Sequence, residues 1–547
     1  LMTFSTDSRI FQNLAVPDIL KQVFGDLGFT DFQDSLTATY EVREYCVQYQ
    51  ETHFAFVSRL MEEEGIFYFF THEDGKHTLV LADDASAHQD VPGTSTVPYL
   101  PLPYSKDWLE DDRIEAFTLE QRVVSGKYQA DDFNFETPST ELKALVTGQA
   151  AKYQVYEYPG NYLKKDLGDK AAKLRMEEME VPARRTEGVG RARGFAAGLK
   201  FTLDGHPRAD LNVAYVLHRV SHEARRREYV NAFTALPADV PFRPARTTPR
   251  PRIVGTQTAI VVGKAGEEIW TDKYGRIKVQ FHWDQLGKND ENSSCWIRVT
   301  QGWAGKNWGS FFLPRIGQEV IVSFLEGDPD RPIVTGCVYN GEQPVPYELP
   351  GEQTKSTVKS NSSKGGGGFN EIRYEDKKDS EEMFVHAQKD MNVVVLNDQT
   401  LTITTARTTT ISESDDTLTI EKGNRTITVS KGNETHSVKD TRSVTVTAAE
   451  THTNEDDFTH EVTGDYTLKV GGNITIEAGG SITLKAGSTM DLEAAGDATL
   501  KGANTTVEAS ANVTVKAGAM LEAKASATGK VDGGGMLELK GGMVKLN

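Results

Sequence analysis

The chain has 547 residues, of which 38% are hydrophobic, and that length is enough for roughly three or four domains. Its net charge of -19 argues against a general nucleic-acid binder, because neutralising phosphates requires clustered Lys and Arg. No apolar run approaches the roughly 20 residues of a membrane-spanning helix, and no signal peptide is visible.

The first part of the sequence, 1–245, predicts a base domain of mixed α and β structure. It opens on LMTFSTDSRIFQNL, which looks like the interior of a domain, so we expect the N-terminus to be truncated. Pro17 predicts the start of a helix that stops at Gly25. A second amphipathic helix runs through 57–61 and is ended by Gly65.

Strands and a third helix follow. IFYFF and HTLVLAD flank an Asp-Gly turn and predict a hairpin, and FNFETP (133–138) and NVAYVLHRVSHEA predict further strands. KDLGDKAAKLRMEEMEVPARR predicts a charged helix. The stretch LPADVPFRPARTTPRPR (236–252) is dense in Pro and Arg, which predicts a stiff linker and a domain boundary.

Residues 253–345 predict a small β-barrel of the OB type. Its five strands are TAIVVG, RIKVQFHW, CWIRVT, QEVIVSF and RPIVTGCV, separated by polar turn clusters. SNSSKGGGGFN (360–370) predicts a flexible hinge. The predicted division is therefore a base at 1–245, a linker at 246–252, an OB domain at 253–345, a neck and hinge at 346–385, and a needle at 386–547.

The cysteine pattern indicates the redox environment in which the protein is made. Cys46, Cys295 and Cys337 show no CxxC spacing, which argues against a metal knuckle and excludes a disulfide framework. We expect three small buried hydrophobic side chains in a protein made in a reducing cytosol.

The last part of the chain repeats in eights, as in VGGNITIE, AGGSITLK, AGSTMDLE and AAGDATLK. Alternate residues of a strand face the same side, so the fifth and seventh places are predicted to point inward and the sixth and eighth outward. Small residues in the first three places let the chain turn, where Gly accepts positive φ. The predicted inward core residues are Ile474, Ile476, Ile482, Leu484, Leu492, Val513, Val515, Leu537 and Leu539.

One strand per eight residues cannot enclose a core by itself, because a single-chain β-helix needs about 20 or more residues per coil. Three copies wound together close a triangular prism and leave no strand edge open along its length. The predicted fold class is thus mainly β: an α+β hub with β-barrels, an OB-fold neck barrel and a C-terminal trimeric intertwined β-helix.

Several stretches resemble VgrG, the valine-glycine repeat spike family of the bacterial type VI secretion system, which is related to the hub and spike proteins of contractile-tail phages. The stretches are DSRIFQNLAVPDILKQVF, SRLMEEEGIFYFF, VYEYPGNY, DKYGRIKVQFHWD, CWIRVTQGWAGKNWGSFFLPRIGQEVIVSFLEGDPDRPIVTGCVYNG and the Gly-rich octads. The resemblance implies a homotrimer whose hub sits on a tube of hexameric rings and whose needle carries a PAAR-type tip protein. It also implies toxin effectors as cargo, assembly in the cytoplasm, secretion by the type VI system and mechanical piercing of a target membrane.

The resemblance and the spacing together predict a protein that is not an enzyme and needs no cofactor or metal. Only about fifty residues, 341–392, separate the barrel from the octads, too few for the lysozyme domain that phage relatives carry. The chain stops at KGGMVKLN, still in register with the octads. We expect its last residues to form an apolar end with open strand edges that a tip protein caps. These candidate partner-binding residues are Met543, Val544, Lys545, Leu546 and Asn547.

Other candidate groups have plainer explanations. Glu62, Glu63 and Glu64 form a carboxylate run, which we interpret as a solvated helix end. His53, His72 and His77 flank one hairpin without HExxH-type spacing, which favours surface or structural roles. The glycines of 365–368 are not followed by GK[ST], so they form no phosphate loop.

Two further groups leave alternatives open. His436, His452 and His460 either point outward into solvent or, in a trimer, bring three copies to one axis as a metal or anion site. Trp296, Trp303 and Trp308 favour core or subunit-interface packing over base stacking, since no basic groove accompanies them.

Three other functions compete with the spike. They are the central spike of a phage tail or pyocin particle, a carbohydrate-active single-chain β-helix, and a nucleic-acid-binding OB protein. A solution mass separates a trimeric spike from a single-chain β-helix.

Overall fold

The computed structural model describes residues 1–101, 112–149, 151–226 and 228–546. They divide into two compact units, Leu1–Thr402 and Ile403–Asn547. Within the described ranges, none of the helices combines the length and the apolar character needed to cross a membrane.

The hub begins with a helical core flanked by short strands. The helices are α1 (Val16–Asp26) and α2 (His53–Glu64), and their buried faces pack together through residues such as Leu20, Phe56 and Leu60. The strands are β1 (Thr6–Phe11), β2 (Leu14–Ala15), β3 (Phe32–Ser35), β4 (Val42–Arg43), β5 (Cys46–Thr52), β6 (Phe67–Glu73) and β7 (Lys76–Ala82). The β6–β7 hairpin was predicted from the sequence and is confirmed.

Both predicted helices of this region are present, but the C-terminal end of α1 differs from the prediction. Helix α2 starts after Thr52, whose hydroxyl accepts a hydrogen bond from the Ala55 amide at 3.0 Å, and ends at Gly65 with φ of 71°. Helix α1 does not stop at Gly25, which lies inside it. The chain reverses only at Gly28, where φ is 75°, because that is where a residue in the left-handed region is required.

The second half of the hub is built on a six-stranded sheet in the order β8-β14-β15-β16-β13-β9. A bridge between Tyr99 and Ile114 joins its two outer strands, and Phe201, Tyr215 and Phe233 fill the interior. Helix α3 (Lys165–Glu180) covers a small sheet of order β11-β10-β12. The strands are β8 (Thr96–Pro98), β9 (Ile114–Gln121), β10 (Lys127–Ala130), β11 (Ala144–Thr147), β12 (Gln154–Glu157), β13 (Arg184–Gly190), β14 (Lys200–Asp204), β15 (Ala214–Arg225) and β16 (Glu228–Pro237).

The strand predicted at 133–138 is wrong. The Asn134 carbonyl accepts a hydrogen bond from the Thr137 amide, and the Asn134 side chain accepts one from the Glu136 amide, so the segment turns. Alternating aromatic residues imitated a strand, but the Asn134 side chain hydrogen-bonds to the local backbone and favours a turn. The Phe135 ring lies under the Arg298 guanidinium, whose central carbon is 4.7 Å from the ring centre.

The five predicted strands of the barrel are confirmed as a sheet in the order β18-β17-β22-β23-β19. A bridge between Ile277 and Ile297 links its two ends, and Val279, Phe281 and Val320 are fully buried inside. The strands of this region are β17 (Gln257–Val262), β18 (Lys278–Phe281), β19 (Arg298–Val299), β20 (Ala304–Gly305), β21 (Trp308–Gly309), β22 (Glu319–Phe324) and β23 (Pro332–Val338).

After the barrel, β24 (Lys355–Lys359), β25 (Glu371–Glu375) and β26 (Glu382–His386) form an antiparallel sheet. The stretch 360–370, predicted as a hinge, is the hairpin connection between β24 and β25. The Ser362 amide donates to the Gly368 carbonyl at 2.7 Å, and Lys364 Nζ donates to the Gly266 carbonyl at 2.7 Å. Within this connection the Gly366 amide donates to the Ser363 carbonyl at 2.9 Å, and Gly365 adopts φ of 81°.

The cysteines are free thiols and two of them behave as predicted. Cys46 and Cys295 are buried, and burial raises the pKa of the Cys46 thiol to about 12, so it stays protonated and unreactive. Cys337 is exposed, which corrects the expectation of three buried side chains.

Candidate functional site

The octad repeat has a direct counterpart in the backbone of the second unit. The chain runs extended for six residues and then bends over two, and the bends recur every eight residues. They lie at 439–440, 447–448, 455–456, 463–464, 471–472, 479–480, 487–488, 495–496 and 503–504. The period read from the sequence is therefore a period of the fold.

The extended segments have no partners within their own chain. In the part of 403–546 that the structure describes, no strand pairing occurs, and one backbone hydrogen bond is formed, from the Met536 amide to the Gly533 carbonyl. Every described residue there is exposed to solvent. The exposed fraction is 55% for Ile474 and 70% for Ile476. A polypeptide with this much unpaired backbone and apolar surface requires other chains around it.

The glycines at the bends correct one prediction. Gly471, Gly472, Gly479 and Gly480 do not have φ in the left-handed region, and a Cβ built on each meets nothing within 4 Å. At three other bends or turns of the same unit the prediction holds, because Gly423, Gly432 and Gly534 have positive φ. The chain's own geometry thus leaves room for larger residues at the two bends 471–472 and 479–480.

The predicted inward residues remain a prediction, because within a single chain all of them are solvent-exposed. They nevertheless recur at two fixed places after each bend: Ile474 and Ile482 lie two residues beyond one, and Ile476 and Leu484 lie four residues beyond one. Of the candidate tip-binding residues, Met543, Val544, Lys545 and Leu546 are exposed, while Asn547 lies outside the described residues.

The histidine candidates separate into distinct environments. His53 is buried and hydrogen-bonded to Gln48, whereas His72 and His77 face each other across the β6–β7 hairpin with their Nδ1 atoms 2.7 Å apart. His436 and His452 each contact a glutamate, at 2.7 Å from Glu434 and Glu450 respectively. The His460 ring packs edge-on against Tyr466. Within one chain, the described residues contain no group of three or more His, Cys, Asp or Glu side chains that could hold a metal ion.

The carboxylate run of α2 is not the solvated helix end that was predicted. Glu63 pairs with Arg43 at 2.9 Å and with Arg250 at 2.8 Å, and Glu62 accepts hydrogen bonds from Thr248. Although burial alone would raise it, these guanidiniums hold the pKa of Glu63 well below its usual range. Since Arg250 lies in the Pro- and Arg-rich segment 236–252, this segment is tied to the hub surface rather than free.

A second half-buried carboxyl links the hub to the barrel. Asp330, in the GDPDRP motif, accepts a hydrogen bond from the Val47 amide at 2.6 Å. Burial and the neighbouring Asp328 carboxylate raise the pKa of Asp330 to about 7. Sequence reasoning missed this group, although a DPD motif between two strands was the available signal.

The Asp330 pKa predicts a pH-dependent stability. The folded protein keeps this carboxyl protonated up to about pH 7, whereas the unfolded chain ionises it near pH 3.9, so the free energy of unfolding falls as pH rises between these values. We expect Asp330→Asn to remove that decline, so that the free energy of unfolding of the first unit changes less between pH 5 and pH 8 than in the wild type. Urea unfolding at pH 5 and pH 8 measures it; an equal pH dependence in both proteins would contradict the assignment.

The tryptophans divide between core and surface. Trp296 is half-buried and stacks on Trp270. Trp303 and Trp308 are 65% and 56% exposed on the β20–β21 hairpin, so core packing is wrong for both, and interface packing remains a prediction.

The hub also contains a cavity of about 290 Å³ that the sequence did not predict. Phe69, Phe70, His88 and Phe242 are among its lining residues. It is assembled from strands far apart in sequence, which no local pattern signals.

Family models match three successive parts of the chain. The phage tail baseplate hub (GPD) matches 1–228, the type VI secretion system/phage-baseplate injector OB domain matches 259–339, and the bacteriophage T4 gp5 C-terminal trimerisation domain matches 356–470. The last match begins in the neck sheet and extends into the octads.

Curated relatives share about half of the aligned residues. The type VI secretion system spike protein VgrG1b of Pseudomonas aeruginosa PAO1 is 50% identical over 428 residues, covering 75% of this chain and 58% of the relative. VgrG1a of the same strain is 48% identical over 420 residues, covering 74% and 65%. The chain therefore spans less than two thirds of the length of these relatives.

Among solved structures, the chain is similar to the Escherichia coli c3393 protein, which is described as a type VI secretion component with structural similarity to the T4 tail proteins gp27 and gp5. The identity is 23% and the TM-score 0.43, over 62% of this chain and 75% of that chain.

Proposed function

The chain belongs to the VgrG family of type VI secretion spike proteins, and from that premise we propose that it is the homotrimeric, non-enzymatic puncturing spike of such a system. In this function the hub sits on the end of the secretion tube, and the octad region forms the needle. The spike is assembled in the cytoplasm and secreted by the type VI machinery, and it carries its cargo through a target-cell membrane by mechanical force.

The observation that carries this proposal is the unpaired octad chain. Each buried Val, Ile or Leu side chain contributes about 1.5–3 kcal/mol, and none of this is gained while Ile474, Ile476 and their equivalents face water. Three chains wound in parallel register pair the free backbone groups and enclose these side chains at once. The match of residues 356–470 to a trimerisation domain also supports an assembly of three chains.

The bends provide independent support. Gly479 and Gly480 have neither a positive φ nor a neighbour within 4 Å in their own chain, so nothing inside one chain requires glycine there. Close approach of a neighbouring chain is a sufficient reason, because a Cβ would then meet that chain's backbone.

The proposed partners follow from the same function. A hexameric tube protein binds the hub, and toxin effectors are the cargo. A PAAR-type tip protein binds at 543–547, where Met543 and Leu546 are 78% and 82% exposed. Nucleic acid is not among the partners, which agrees with the net charge of -19.

Solution mass tests the trimer. Light scattering on the purified chain is expected to give three times the 60.3 kDa chain mass. A monomer would reject the spike and favour a single-chain β-helix. Assays of peptidoglycan, glycan and lipid hydrolysis with the same trimer are expected to show no turnover, and turnover in any of them would contradict the non-enzymatic assignment.

Glycine substitutions at one corner test whether neighbouring chains lie close. The double variant Gly479→Val with Gly480→Val is expected to destabilise the trimer by about 1–3 kcal/mol per overpacked site, although one chain has room for both side chains. Thermal dissociation of the trimer measures the effect. Gly341→Val is the matched control, since Gly341 also has open space and lies outside the octads. Equal dissociation temperatures for both variants would argue against interchain contact at the corners.

A further inference from the structure

Three histidines of the second unit occupy the same place in the octad. His436, His452 and His460 each lie three residues before a bend of the backbone, as does Ile476. Because side chains alternate along an extended segment, these histidines share the face on which Ile476 is predicted to point inward.

Two of them also share a carboxylate contact. The tripeptide Glu-Thr-His occurs at 434–436 and again two octads later at 450–452. His436 Nε2 lies 2.7 Å from Glu434 Oε1, and His452 Nε2 lies 2.7 Å from Glu450 Oε1. An ionised carboxylate only accepts hydrogen bonds, so the imidazole donates through Nε2, and in the neutral ring Nδ1 keeps its lone pair.

This arrangement is the one by which carboxylates orient metal-binding imidazoles, since the hydrogen bond sets the tautomer and turns the other nitrogen toward the ion. His460 provides a contrast within the same chain. Its ring packs against Tyr466, and the residue two places before it is Phe458 rather than a glutamate.

The charges on the same face give a reason to recruit cations. Glu434, Arg442 and Glu450 follow one another at steps of eight residues. Two carboxylates and one guanidinium leave one net negative charge per chain on this stretch. Near the centre of a trimer such charge is costly unless it is compensated, and a bound dication compensates it.

We propose that the trimer binds Zn²⁺ at two rings, one formed by three copies of His436 and the other by three copies of His452. In each ring three Nδ1 atoms ligate the ion, Glu434 or Glu450 orients the imidazoles, and one coordination position remains for solvent. The inference rests on the proposed trimer, because one chain supplies a single imidazole to each ring.

The test uses the untagged full chain, incubated with ZnCl₂ and freed of unbound metal by gel filtration. Light scattering gives the mass, and elemental analysis gives the zinc content of the same peak. We expect about two Zn²⁺ per trimer, and we expect removal of zinc by a chelator to lower the temperature of trimer dissociation. The double variant His436→Gln with His452→Gln is expected to remain a trimer with only background zinc.

A residue swap provides the matched control. Thr435→His with His436→Thr, combined with Thr451→His and His452→Thr, keeps the composition but moves each imidazole to the opposite face of its strand. Zinc is expected to be lost from this variant. A wild-type trimer without zinc, or a swapped trimer that retains it, would overturn the zinc site and leave the spike intact, whereas a monomer would overturn the proposed function itself.

Discussion

Replacing Ile474 and Ile476 together with Asp is expected to convert the trimer into monomers. In a three-chain shaft the two substitutions place six carboxylates around one short stretch of the axis. Each buried, unpaired charge costs several kcal/mol. Six such charges together cost more than the neighbouring octads gain by burying their apolar side chains. Size-exclusion chromatography with light scattering measures the result directly, and secretion from a host strain is expected to stop in parallel.

The matched control introduces the same two charges on the other face. Thr475 and Thr483 occupy the sixth place of successive octads, which is predicted to point outward, so Thr475→Asp with Thr483→Asp is expected to leave the trimer intact. A normal trimer from the isoleucine variant would refute the inward assignment of the fifth and seventh places. Dissociation of both variants would show that added charge alone, regardless of face, breaks the assembly.

The second large effect is expected at Glu63. Its carboxylate is shared among Arg43, Arg59 and Arg250, and the Arg59 side chain is only 3% exposed. Glu63→Ala leaves these guanidiniums short of a counter-charge in a poorly solvated site. We expect the free energy of unfolding of the first unit to fall by about 3 kcal/mol, measured by urea unfolding at pH 7.

The same variant has a predictable pH dependence. The pKa of Glu63 is depressed in the folded protein, so its stabilising contribution is present above the unfolded value of about 4.3 and is lost as pH falls below it. The gap between wild type and Glu63→Ala is therefore expected to shrink in acid. Glu120→Ala, which removes an exposed partner of Arg122, is the control and is expected to change nothing measurable. A gap that stays constant down to pH 3 would contradict the ionic explanation.

The features that could be predicted from the sequence are those in which neighbours along the chain decide the structure. The barrel strands, the β6–β7 hairpin, helix α2 with its stop at Gly65 and the octad period all follow from alternation and turn chemistry within about ten residues. Where such local signals conflicted, prediction failed: the aromatic alternation at 133–138 imitated a strand, and Asn134 turned the chain instead.

The ionic groups of the hub could not be predicted in this way. Glu63 looks solvated when only its helix is considered, but Arg250, 187 residues away, folds back and pairs with it. Asp330 pairs with the Val47 amide across 283 residues. The pKa of a carboxyl group depends on which charges lie near it in space. The separation of two residues along the sequence does not predict that distance.

By itself, the sequence determined that the chain has a β-barrel and a long region of eight-residue repeats whose apolar places need partners, since period and alternation are properties of consecutive residues. Only the tertiary structure decided that the described repeats form no strand pairs within one chain, that positive φ does not explain the glycines at 471–472 and 479–480, and that the Arg-rich segment is held against the hub. Those outcomes depend on which surfaces come into contact after folding. A pattern of neighbouring residues in the sequence does not predict contacts between distant segments.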